Sequence, residues 1–221
     1  MAWNLFNPRN EKSLNQRFRA KRFAFFKTLL KATHKDNSIR ILDIGGTQSY
    51  WERMNFTEHD NVFITLLNLD VAPVNYANFT SVKGDACELK DFEDKHFDIV
   101  FSNSVIEHLF TWENQQKMAA EVRRVARSYY IQTPNYYFPI EPHWLFPFFH
   151  FLPVGPRVWL TQRFNMGHHP KSGNREAALV RVKEVQLLTP KKMQALFPEA
   201  KVYREIFMGL TKSITMYHFP G

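Results

Sequence analysis

The stretch Ile41-Leu42-Asp43-Ile44-Gly45-Gly46-Thr47-Gln48-Ser49-Tyr50-Trp51 decides the fold. It begins as an apolar strand, reaches an acid at Asp43, turns on two glycines and then opens a helix. Such a turn brings free backbone N–H groups and the positive end of a helix dipole against a small ligand. A dinucleotide fingerprint begun at Gly45 needs glycine where Thr47 and Tyr50 stand, so a pyrophosphate fits poorly. Gly45, Thr47 and Ser49 still leave room for a smaller polar ligand. Alone, the turn is also compatible with a plain strand–helix connection capped by Asp43.

Outward from this turn, buried-strand patterns recur at Ile39–Ile44, Val62–Leu69, Thr80–Lys83, Phe97–Ser102 and Tyr129–Gln132, with helix or loop between them. That alternation predicts a parallel, doubly wound sheet. A helix is expected over Glu113–Arg127, with Thr111 as N-cap and Met118, Val122 and Val125 on one face. A short helix near Pro190–Phe197 precedes strands at Lys201–Phe207 and Lys212–Phe219, which are so close in sequence that they must pair antiparallel.

The chain of 221 residues, 44% hydrophobic, suffices for one well-buried core. Its single cysteine, Cys87, and the lack of a leader pattern predict a reducing, cytoplasmic setting. No segment reads as a membrane span, so the protein is expected to be soluble or membrane-peripheral. The net charge of +8 is concentrated: residues 1–38 hold nine Lys/Arg against two Asp/Glu, and the remainder is nearly balanced. Residues 1–38 read as a basic helical arm, with Leu14, Phe18, Phe25 and Leu29 as its apolar stripe and Arg17, Arg19, Lys21, Arg22, Lys27 and Lys31 around it. The arm either packs on the domain or touches anionic lipid, a phosphate-bearing substrate or RNA. A balanced body argues against nucleic acid as the main partner.

Residues 39–221 read as one catalytic domain with an insertion over 136–170. Within it, Tyr136–Trp159 has nine aromatic residues, five prolines and two charges, Glu141 and Arg157. Prolines at this density preclude one long helix. The segment is expected to be a packing layer, a lid forming a wall of an acceptor pocket, or an interfacial loop.

In an open α/β sheet, ligands lie beyond the carboxyl ends of the strands, where Asp43 and Gly45, Asn68-Leu69-Asp70, Gly84-Asp85-Ala86 and Ser102-Asn103-Ser104 converge. With LDIGG, FTSVKGDACEL and FDIVFSNSVIEHL in this order, the chain resembles the class I S-adenosylmethionine-dependent methyltransferases of the small-molecule and quinone group. The resemblance implies a Rossmann-like seven-stranded sheet, mostly parallel with a C-terminal antiparallel hairpin, and S-adenosyl-L-methionine as cofactor. It assigns Asp43, Gly45, Gly46 and Thr47 to the methionine side, Asn68, Leu69 and Asp70 to the ribose, Asp85 and Ala86 to adenine, and Ser102 to the sulfonium neighbourhood. Asn68 stands where the family carries an acid; Asp70, two residues on, would share its side of an extended strand.

Methyl transfer needs an aligned acceptor, excluded water and, for a hydroxyl, a base. Candidate bases are His143, then His108, Glu107 and Glu141. Some relatives use such a Glu-His pair, with an acid one turn earlier, to hold a divalent metal; here that earlier position is Ser104, so no metal is expected. His168-His169 reads as a surface turn. The favoured function is methyl transfer, at oxygen, to a small-molecule, saccharide or lipid-linked acceptor. An RNA methyltransferase and a non-catalytic cofactor-binding protein are the alternatives.

Overall fold

The first strand, β1 (Ile39–Ile44), is buried along almost its whole length, as a central strand covered on both faces must be. The computed structural model describes residues 14–33, 38–57, 61–167 and 169–220. Thirteen residues at the start of the predicted arm, positions 34–37 and His168 therefore lie outside the described residues.

Before β1 comes α1 (Leu14–Thr33), and after it α2 (Gln48–Arg53), β2 (Val62–Asn68), β3 (Phe79–Lys83), β4 (Phe97–Asn103), α3 (Trp112–Val125) and β5 (Ala126–Pro134). An insertion follows, with β6 (Ile140–Glu141), β7 (Phe146–Pro147), α4 (Val154–Arg163) and α5 (Arg175–Glu184); α6 (Pro190–Leu196), β8 (Lys201–Phe207) and β9 (Leu210–His218) close the chain. The seven-stranded sheet runs β3-β2-β1-β4-β5-β9-β8, parallel from β3 to β5, with β9 antiparallel to both of its neighbours. The order reverses between β1 and β4, and the crevice at that switch is where such sheets bind ligands.

The expected helix over Glu113–Arg127 begins one residue earlier and ends at Val125. Thr111 caps it by accepting from Asn114 N, and Met118, Val122 and Val125 are fully buried. No loop separates it from β5, which starts at Ala126 rather than Tyr129 because Ala126 pairs with Phe97. The final hairpin turns on Met208 and Gly209, both at positive φ, so β9 starts at Leu210 rather than Lys212.

Helices cover both faces of the sheet. On one, α3 and α6 pack over Leu42, Val100 and Ile131; on the other, α1 and Trp51 of α2 pack over Ile41, Phe101 and Tyr130. The expected stripe of α1 is corrected here. Phe23, Phe26 and Leu30 are its buried core residues, while Phe25 and Leu29 flank the stripe and Leu14 and Phe18 are half-buried. The shift follows from two surfaces being covered at once: Phe26 meets Phe101 and Tyr130, whereas Phe25 stacks on Tyr203 at 4.5 Å and Phe18 meets Phe207 edge-on. The same rotation turns Arg22 inward, where it pairs with the buried Glu205.

The insertion leaves the sheet after β5 and returns at Leu188, where Asn135 bridges Leu188 and Tyr136 N donates to Leu188 O at 3.1 Å. Between these ends Trp144, Phe149, Val158, Met166, Ala178, Val182 and Val185 form a hydrophobic cluster of their own. The prolines divide the segment as expected, into a two-stranded hairpin and short helices. Among the described residues, no helix is long and apolar enough to cross a membrane.

Candidate functional site

Gly45 ends β1 at φ +72°, the left-handed region that glycine enters without strain. At Gly46 the constraint is space: an added Cβ would lie 1.7 Å from Asp43 Oδ2. Asp43 is fully buried beneath this turn and accepts from Trp51 Nε1 at 2.7 Å. Burial pushes its carboxyl up to about 7, and the indole hydrogen bond offsets only part of that. Asn68, at the end of β2, donates its amide to Gly46 O at 2.8 Å and so braces the turn from the neighbouring strand.

Above the turn lies a cavity of about 140 Å³ lined by Arg19, Asp43, Gly45, Gly46, Thr47, Tyr50, Arg53, Phe101 and Asn103. A second cavity, about 270 Å³, lies under the insertion. Asn103, Ser104, Gln132 and Pro134 of the strand ends form its floor; Phe138, Ile140, His143 and Leu145 form one wall, and Asn15, Arg19, Arg22 and Lys212 another. Arg19 and Asn103 line both cavities, which makes them the junction.

Other cofactor-site expectations fall outside these linings. Ser102 is fully buried with its hydroxyl 3.3 Å from Ile44 O, inside the sheet. Its neighbours Phe101 and Asn103 line the smaller cavity instead. Leu69 and Asp70 are exposed beyond the end of β2, which stops at Asn68. Asp85 accepts from Cys87 N at 2.8 Å beside the buried Ala86.

At the edge of the second cavity, His108 and His143 come together from positions 35 apart, with Nε2 atoms separated by 3.0 Å. His143 donates from Nδ1 to Glu141 Oε1 at 2.6 Å. Glu141 is buried and its other oxygen accepts from His143 N and Trp144 N, both at 2.7 Å. Glu141, expected among the candidate bases, thus accepts from three N–H groups, two of them on His143. His108 places Nδ1 3.5 Å from Glu184 Oε1. Burial alone would lower the His143 pKa, but Glu141, Glu107 and Glu184 more than offset it, so it is raised; His108 is lowered by burial and by its neighbour His143. Glu107, fully buried, accepts from Thr133 Oγ1 at 2.9 Å through Oε2, while Oε1 has no hydrogen-bond partner among the described residues. Burial pushes its carboxyl up to about 7, against the opposing pull of His143. Glu107, His108 and His143 offer three ligand atoms within 4.8 Å of one another, a geometry able to hold a divalent ion. His169, of the expected His168-His169 turn, exchanges backbone hydrogen bonds with Met166 and packs its ring against Trp144.

Sequence reasoning gave no site role to Arg22, Gln132 or Lys212, and named Asn103 only within the strand-end cluster. Phe101 and Asn103 share a side of β4, but alternation does not say which side faces the ligand. For Arg19 the only signal was membership of the basic arm.

Residues 42–129 match the methyltransferase domain family. A 64-residue stretch is 39% identical to the uncharacterised protein Rv1509 of Mycobacterium tuberculosis; it is 28% of this chain and only 22% of the length of that relative. Among solved structures, the CurJ carbon methyltransferase superposes with a TM-score of 0.55 at 11% identity, over 98% of this chain and 56% of that one. A candidate O-methyltransferase from Nostoc punctiforme superposes with a TM-score of 0.51 at 12% identity, over 92% and 57%. Residues 42–129 thus match the methyltransferase domain family, and the described chain carries a fold seen in solved methyltransferases.

Proposed function

We propose that the protein transfers a methyl group from S-adenosylmethionine, at oxygen, to a small organic acceptor. The observation that carries this reading is the pair of cavities meeting at Arg19 and Asn103: one sits on the glycine turn, and the other is walled by His143 and apolar residues of the insertion. In this reading the methionine half of the cofactor rests on the Gly45–Thr47 backbone, and its methyl group faces the junction. The acceptor lies under the insertion, which acts as its lid and keeps water from the transfer. His143, aimed by Glu141, takes the acceptor's proton. A cavity of about 270 Å³ favours a small acceptor over a polynucleotide. The test is calorimetric binding of S-adenosylhomocysteine together with turnover across a panel of hydroxyl and carboxyl acceptors. Cofactor binding without turnover on any of them would favour the non-catalytic alternative.

A second reading of the same end is favoured by the facing histidines. With both Nδ1 atoms turned toward carboxylates, two Nε2 lone pairs point at each other across 3.0 Å, which only a proton or a cation between them relieves. Two metal–nitrogen bonds of about 2.1 Å at roughly a right angle span that distance. Glu107 Oε1, buried and unpartnered, supplies a third ligand atom. A bound divalent ion would hold the acceptor oxygen as its anion in place of a free base. Titration with zinc or manganese alone separates the readings: saturable binding lost in His108→Ala supports the ion, and absence of binding leaves His143 as the base.

A further inference from the structure

The larger cavity has a one-sided charge. Arg19, Arg22, Lys212 and His143 line it, and no Asp or Glu does among the described residues. One acid lies behind the wall: Glu205, buried, shared between Arg22 and Lys212, with Lys212 Nζ at 3.2 Å. Two cations on one carboxylate leave a positive charge in excess. Arg19 adds another, because no described residue gives it an ion pair or hydrogen bond, and its nearest charged neighbours include Arg22 and Arg53. Burial acts in the same direction as those two cations, lowering the Arg19 pKa. A partly desolvated guanidinium among like charges is costly until an anion arrives, and its planar fork suits a carboxylate or phosphate. Beside Lys212, Ser213 lines the cavity with a buried hydroxyl that has no hydrogen-bond partner among the described residues. The facing wall, Phe138, Ile140 and Leu145, is apolar.

We propose that the methyl acceptor is a small organic anion, its carboxylate or phosphate held by Arg19 with Lys212 and Ser213 and its apolar body lying against Phe138, Ile140 and Leu145. The inference rests on the methyltransferase reading and narrows the substrate class. It also gives α1 a role at the site: the helix brings one cation to the junction while its buried side joins the core.

The test compares matched probes on the protein loaded with S-adenosylhomocysteine: 4-phenylbutyrate against its uncharged amide, and phenyl phosphate against phenol, by calorimetry. Each anion should bind about tenfold or more tightly than its neutral partner, and the advantage should shrink with added salt. In Arg19→Met and in Lys212→Met the advantage should fall to about twofold, while Arg19→Lys retains part of it. Equal binding of anion and neutral partner in the parent overturns the proposal, and that comparison stands even if a variant fails to fold. The cofactor's own carboxylate is a second source of negative charge. If Arg19→Met weakens S-adenosylhomocysteine but not 5′-methylthioadenosine, which lacks that carboxylate, and leaves the anion preference intact, Arg19 serves the cofactor and the proposal is overturned. A parent protein that binds no S-adenosylhomocysteine would strike the methyltransferase reading instead.

Discussion

The glycine turn after β1 and the insertion after β5 line two cavities that share Arg19 and Asn103, yet they are built by opposite means. At the turn, everything lies within a few residues: Gly45 at positive φ, Gly46 with no room for a side chain, and Asp43 locked to Trp51 eight positions on. At the insertion, nothing local decides. His143 meets His108 only because Trp144, Phe149 and Val182 form a separate core that fixes where the segment returns to the sheet. The difference teaches that the turn is specified by backbone conformation and the wall around His143 by tertiary packing, so the two should fail differently.

The sharpest break comes at the turn. Gly46→Val drives a branched side chain into the Asp43 carboxylate and should abolish S-adenosylhomocysteine binding in calorimetry, while the wall around His143 keeps its structure. Gly45→Val should do the same through its positive φ and the clash with Val105. Next in size, His143→Ala should lower turnover by roughly 10²–10⁴-fold with cofactor affinity little changed. Unchanged turnover in a stable His143→Ala protein moves the role to His108.

Phe149→Ala tests the independence of the two regions. Removing this fully buried ring should cost about 3–5 kcal/mol of stability in denaturant unfolding and reduce turnover through His143. Cofactor affinity should hold; an equal loss of S-adenosylhomocysteine binding would merge the two regions into one cooperative unit.

The last test is a pH dependence at the turn. Asp43 is raised in the folded protein to about 7 from about 3.9 in an unfolded chain. Between those values the folded state keeps a proton that the unfolded state releases, so stability falls as pH rises through the window and levels off above it. Glu107, also raised to about 7, contributes with the same sign. Asp43→Asn should therefore flatten part of the decline in melting temperature of the ligand-free protein between pH 4 and 7. A slope identical to that of the parent would mean that Asp43 is ionised in the fold throughout.

What was legible in the sequence follows the same division. Ile39–Ile44 and Lys201–Phe207 were read at their true bounds because apolar runs and punctuation are local signals. Asp43 and the glycines were legible for the same reason. Asn103 was passed over in favour of Ser102 because β4 is buried on both faces, and composition does not say which parity faces the ligand. Arg19 and Arg22 read as members of a solvated basic face; their inward turn depends on α1 spanning both Phe101 and Tyr203, a contact 178 residues away in sequence for Phe25. Glu141 carried the residue type of a base, but its two backbone N–H partners and its grip on His143 exist only once β6 and β7 fold back.

The central claim is that one site spans both regions, with the cofactor's methionine half on the glycine turn and its sulfur directed to the junction of Arg19 and Asn103. A crystal structure with S-adenosylhomocysteine bound tests it most directly. The account predicts the homocysteine moiety over Gly45–Thr47 and the sulfur opening into the cavity walled by His143. Homocysteine bound away from that turn, or a sulfur sealed off from that cavity, would contradict it.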